Sequence, residues 1–175
     1  ESLKQMGEDE EETKDGMDMG LLVINNNDES IEFSGAYNPC WKVRKLTAGE
    51  KEKFLDDKLE LKRGELSNGE YVLETLDADR MPIGISSRMG QSFTMHKQKL
   101  EKGATYYLFS DGYSDQFGGD YGRKFLKKNL KKLILEIQDV PVKQQKDLLD
   151  KRLLDWMGEA EQVDDILVMG IRISS

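Results

Sequence analysis

Two acidic sites in the sequence stand at the ends of apolar runs, where a short side chain keeps little freedom. In the segment Tyr106 to Gly119, YYLFSDGYSDQFGG, an apolar run delivers Asp111 and Gly112 lets the chain turn at once. A carboxylate fixed at a strand terminus beside a tight turn can project into a cleft, as a ligand to a divalent cation must. Asp115 follows one helical turn later. Taken alone, this segment reads first as an ordinary turn, because Asp-Gly is a common turn dipeptide. The second site is Gln162 to Ile166, where Asp164 and Asp165 directly precede a closing apolar run. Adjacent acids repel unless something positive neutralises them, and Mg²⁺ or Mn²⁺ with hard oxygen ligands does so. A solvated strand end is the plainer alternative.

The rest of the sequence narrows the chemistry by exclusion. It holds one cysteine, Cys40, and one histidine, His96. An internal disulfide, a Cys-rich zinc site and a His-pair metal motif are therefore excluded, and a reducing compartment is expected. Cys40 has no partnered His motif, which argues against a catalytic thiol. His96 is expected to be an ordinary exposed or partly buried residue. Two strand-end acidic sites in such a chain point to an all-carboxylate divalent metal centre.

The elements that would position these acids can be read in outline. Met19 to Ile24 is an apolar run that predicts a strand covered on both faces, and Ile31 and Phe33 alternate with Glu32 and Ser34 to give its hairpin partner. Trp41 and Val43 predict a third strand, and Thr47 to Gly69 a charged excursion over the surface. Further strands are expected at Tyr71 to Leu76, Gln91 to Leu100, Thr105 to Ser110 and Ile166 to Ile173, with a turn or edge at Met81 to Gly84. Phe125, Leu126, Leu130, Leu133, Ile134 and Ile137 recur at helical spacing. Pro141 suits the first turn of a second helix, with Leu149, Leu153, Trp156 and Met157 as its buried stripe and Gly158 as its stop. Consecutive strands imply antiparallel pairing, hence an α+β layered domain.

Composition sets the limits of function. The 175 residues suit one domain. Hydrophobic residues make up 37%, and the glycines bring this to roughly 46%, enough to bury a core. The net charge of −8 disfavours nucleic acid as a partner. The apolar runs are far shorter than the roughly 20 residues of a membrane span. Gly7 to Asp15 is an acidic stretch, and residues 1–16 are read as a flexible lead-in. The start on Glu1, with no basic-then-apolar leader, is read as a cut from something longer.

Several motifs, in order, resemble those of the PP2C-type metal-dependent protein phosphatases, specifically their SpoIIE-like branch. Tyr107 to Asp115 resembles the strand-Asp-Gly motif, and Gln162 to Val168 the closing Asp-Asp-apolar strand. Gly118-Gly119, Gly122-Arg123-Lys124-Phe125 and the helix carrying Gln144-Gln145-Lys146 are similar to members fused to sensor or repeat modules. Asp15-Gly16-Met17-Asp18, Phe33 to Pro39 and Met81 to Gly84 are similar to the same group.

The resemblance implies a layered α-β-β-α sandwich of antiparallel sheets, with 1–175 as a single domain that is partial at its N-terminus. It implies two Mg²⁺ or Mn²⁺ ions holding a water that attacks a phosphoserine or phosphothreonine. Asp111 and Asp164 would be metal ligands, and the Gly112 carbonyl would hold a metal-bound water. Asp165 stands where many relatives carry Asn, and Asp115 aligns with an acid that helps bind an additional metal in some. The family's first metal motif, an Asp followed shortly by Gly-His-Gly, is not found before Met19, so the chain alone is expected to be inactive. The implied role is the output domain of a bacterial signalling protein, cytoplasmic or the cytoplasmic part of a membrane-anchored sensor. It would follow sensor or repeat domains and act on a phosphorylated regulatory protein such as an anti-sigma-factor antagonist. Two rival readings are a non-catalytic interaction or homodimerisation module and a small-molecule phosphohydrolase.

Overall fold

Period-two alternation in the first half of the chain builds strands whose two faces serve different layers. The computed structural model of the protein describes residues 16–84 and 90–174. The acidic stretch up to Asp15 lies outside them. In chain order the elements are β1 (Gly16–Met17), β2 (Met19–Asn25), β3 (Ser30–Ala36), β4 (Cys40–Lys45), α1 (Ala48–Leu55), β5 (Leu66–Ser67), β6 (Tyr71–Leu76), β7 (Ile83–Gly84), β8 (His96–Lys99), β9 (Thr105–Phe109), α2 (Gly112–Asp115), β10 (Phe117–Gly118), β11 (Arg123–Lys124), α3 (Lys127–Glu136), α4 (Val142–Met157) and β12 (Val168–Arg172).

The main sheet runs β12-β9-β4-β6-β5 and the second sheet β2-β3-β8, with antiparallel ladders throughout. On one face of the main sheet, Trp41, Val43, Leu73, Tyr107 and Phe109 pack with Leu130, Ile134, Leu149 and Leu153 of α3 and α4. On the other, Cys40, Leu76 and Tyr106 pack with Ile31 and Phe33 of the second sheet. α3 and α4, the five-stranded sheet and the three-stranded sheet are thus successive layers, with the five-stranded sheet covered on both faces.

Several expectations are corrected in detail. β2 is not covered on both faces: Leu22 and Ile24 pack inward, whereas Met19, Leu21 and Val23 are exposed at the sheet's edge. The expected surface excursion contains a helix, α1, started by a capping box in which Thr47 and Glu50 exchange side-chain and backbone hydrogen bonds. Only His96–Lys99 of the expected strand from Gln91 forms a ladder, because Asp79 captures Thr94 through both its amide (2.6 Å) and its hydroxyl (3.0 Å). Phe125 and Leu126 precede α3 rather than opening it. Pro141 and Gly158 bound α4 as the spacing predicts.

Candidate metal centre

β9 and β12 are neighbours in the main sheet, and their antiparallel pairing begins with Val168 opposite Phe109. This register puts the residue after β9 beside the segment before β12. Ser110 joins them. Its amide donates to the Leu167 carbonyl (3.0 Å), its hydroxyl donates to the Asp165 carbonyl (2.7 Å), and the Leu167 amide donates back to that hydroxyl (2.9 Å). The two acidic segments, distant in sequence, are therefore held side by side by one short side chain.

Asp111 then opens α2 as its N-cap residue, yet its side chain makes no capping hydrogen bond. An aspartate here ordinarily spends its carboxylate on the free amides of the first turn. The exposed Asp111 carboxylate is left available instead. Gly112 is buried against the second acidic segment: a Cβ there would run into the Asp165 carbonyl group, 2.9 Å from its carbon, and lie 3.1 Å from Ile166 Cγ1. No larger residue fits at this approach without displacing backbone.

Asp164 is exposed, and one of its oxygens accepts from the Asp165 amide (2.7 Å). Asp165 is exposed beside it. Asp115 is directed elsewhere, into an ion pair with Lys124 of β11 at 2.7 Å. The structure thus brings together Asp111, Gly112 and the Asp164-Asp165 segment, and engages Asp115 with a cation of its own. Among the described residues, no three His, Cys, Asp or Glu side chains converge closely enough to enclose a metal ion. Exposed carboxylate oxygens such as those of Asp111 and Asp164 are donors of the type that a hard divalent cation takes.

Two residues whose part here has no signal in the sequence, Gln116 and Asp18, contribute to this region. Gln116 is fully buried, donates to the Glu161 carbonyl (2.8 Å) and accepts from the Val163 amide (3.3 Å), so it ties down the loop entering the second acidic segment. A lone glutamine in a glycine-rich loop gives no sequence signal of such a role. Asp18 lies within electrostatic reach of Asp111. Its carboxyl is raised above the ordinary value, first by partial burial and then by the Asp111 charge, against a lowering by Lys127. Burial pushes the Cys40 thiol up to about 12, which removes it as a nucleophile. His96 Nε2 lies 2.9 Å from the Asp77 carbonyl, a structural bond.

An α+β architecture of two antiparallel sheets with helices packed on one of them matches the fold of the PP2C-like phosphatase domains. The chain is similar in structure to the SiaA-PP2C domain of Pseudomonas aeruginosa, with a TM-score of 0.67 and 22% identity over 90% of this chain and 52% of that one. It is also similar to the phosphatase domain of the cell fate determinant SpoIIE from Bacillus subtilis, Mn presoaked, with a TM-score of 0.53 and 17% identity over 90% of this chain and 56% of that one. The chain therefore spans about half the length of the solved domains it matches. The sequence profile of the Stage II sporulation protein E (SpoIIE) family matches residues 66–174, and the chain belongs to that family. No curated protein matches it.

Proposed function

We propose that the protein is a metal-dependent serine/threonine protein phosphatase domain, with residues 1–175 forming part of that domain and 1–16 an acidic lead-in to it. The observation that carries this reading is the Ser110 junction, which sets Asp111 beside the Asp164-Asp165 segment. Asp111 and Asp164 would hold a Mn²⁺ or Mg²⁺ ion, which when bound lowers the pKa of a water and offsets phosphate charge. The chain's own residues orient that site. Ser110 fixes the relative height of the two acids, Gly112 permits their approach and can offer its carbonyl to a water, and Gln116 anchors the entering loop. Asp165 adds negative charge at the site, and Asp115 is a reserve ligand that must leave Lys124 to take part.

The substrate class is a phosphoserine or phosphothreonine on a regulatory protein, such as an anti-sigma-factor antagonist, within a bacterial signalling pathway in the cytoplasm. Among the described residues, no helix is long and apolar enough to cross a membrane. Two carboxylates can serve one ion, whereas water activation of this kind uses two ions roughly 3.5–4 Å apart. The 175-residue chain alone is therefore expected to bind one ion weakly and turn over little substrate. The test is Mn²⁺-dependent release of phosphate from a phosphoserine peptide by the protein in its full-length context, compared with a nucleotide panel. Release from peptide that is lost in Asp111→Asn supports the proposal, and release confined to nucleotides refutes it.

A second reading, an interaction or dimerisation module, is favoured by one feature. Met17, Met19, Leu21 and Val23 are all exposed along β1 and β2, and an apolar row on a sheet edge invites pairing. Sedimentation equilibrium of the chain distinguishes a dimer from a monomer.

A further inference from the structure

A second site adjoins the acidic one and carries the opposite charge. A cavity of about 450 Å³ is lined by Arg63, Arg80, Lys127 and Lys131, with Asp77 as the single carboxylate. Four cations facing one anion is an unusual concentration in a chain whose net charge is −8. Like charges gathered round a concavity repel, and an anion bound among them removes that cost.

Lys131 is fixed at the back of this cavity. Its ammonium donates to the Gly64 carbonyl and to Thr75 Oγ1 (3.1 Å) and lies 5.0 Å from the Trp41 ring centroid. Two of its three donors are thus satisfied by neutral acceptors and not by a carboxylate. Burial lowers its pKa, opposed by Asp77 and Glu65 and reinforced by Lys127. Arg63 and Lys127 are exposed at the rim and form no ion pair among the described residues.

Lys127 also locates the cavity. It is the first residue of α3, directly after Leu126, whose amide donates to the Ser114 carbonyl of α2 (2.7 Å). α2 begins one residue after Asp111. The basic cavity and the acidic strand ends are therefore joined through the α2–α3 junction.

We infer that this cavity is a binding site for a phosphate dianion. Two guanidinium groups offer paired donors matched to a tetrahedral oxyanion, and two ammonium groups add charge from other sides. The dianion is either a phosphorylated side chain of a protein or free inorganic phosphate. Its role as a recognition subsite for substrate or product rests on the phosphatase reading, but the binding does not depend on metal.

The experiment is a calorimetric titration of the 175-residue chain, with EDTA present, using inorganic phosphate and a singly phosphorylated serine peptide as separate probes. Saturable binding is expected, weakened about tenfold in both Arg63→Gln and Lys127→Gln, as loss of one charge-assisted contact implies. Thermal melting of each variant confirms that it is folded. A tighter peptide than inorganic phosphate identifies a phosphorylated protein as the ligand, and equal affinities identify the free anion. Absence of saturable binding by either probe overturns the inference. So does unchanged affinity in both folded variants, or equal binding of the unphosphorylated peptide. Because chelator is present throughout, failure here leaves the metal proposal standing, and failure of Mn²⁺-dependent turnover leaves this site standing.

Discussion

The Ser110 hydroxyl donates to the Asp165 carbonyl oxygen at 2.7 Å, across 55 positions of sequence. This bond, with the return bond from the Leu167 amide, decides where β12 starts. Ile166 and Leu167 read as strand by composition, yet they are held by the Ser110 side chain, and the ladder begins at Val168. The acids before β12 are thereby fixed at the level of Asp111 rather than carried past it.

Ser110→Ala removes the donor to Asp165 and the acceptor for the Leu167 amide together. The expected loss is about 0.5–1.5 kcal/mol of stability, the net worth of a typical intramolecular hydrogen bond, since both partners are exposed to solvent. Urea denaturation measures it. A variant as stable as the parent would show that water replaces both bonds.

Gly112→Ala places a methyl group against the Asp165 carbonyl. Overpacking of this kind costs about 1–3 kcal/mol. Gly49→Ala is the contrast, because nothing lies within 4 Å of a Cβ there and the position is in α1. Alanine should stabilise it by about 0.5–1 kcal/mol. Thermal melts of the two variants should move in opposite directions, and shifts of the same sign would contradict the steric account.

Glu50 gives a pH dependence with a definite sign. Hydrogen bonds from Arg44, then from the Thr47 amide, hold its carboxyl at about 2, below the ordinary 4.5. A depressed carboxylate contributes stability that is complete above its unfolded pKa near 4.5 and is lost as pH falls toward about 2. Solvent screening of this partly exposed pair limits the contribution to about 1 kcal/mol. Melting of the parent and Glu50→Gln should differ at neutral pH and converge across that window. A gap that persists below it would assign the effect to packing.

The extent to which the sequence reveals this molecule varies with the physics of each signal. Pro141 and Gly158 bracket α4 as expected, since both act through local backbone geometry. Asp111 follows β9 closely, as its local sequence suggests, whereas Asp164 and Asp165 precede a strand that begins later than expected, at Val168. Which sheet a strand joins is not local. The break at Asn38-Pro39 reads as a turn to a third consecutive strand, but it carries β4 into the other sheet, between β6 and β9. Alternation in β4 reports two covered faces without naming what covers them. Helix α1 did have a signal, the Thr47-x-x-Glu50 capping box, obscured by the high charge of the segment. The proximity of Asp18 to Asp111, and of Arg63 to Lys127, depends on tertiary contacts that no window of sequence contains.

The claim that the two strand-end acids form a divalent half-site is tested most directly by electron paramagnetic resonance titration of Mn²⁺ into the 175-residue chain and its variants. Weak saturable binding is expected in the parent, reduced more than about tenfold in Asp111→Asn and in Asp164→Asn with circular dichroism unchanged. Asp115→Asn should have a small effect, since that carboxylate is already paired with Lys124. Absence of Mn²⁺ binding by the parent, or unaltered affinity in both folded variants, would contradict the assignment.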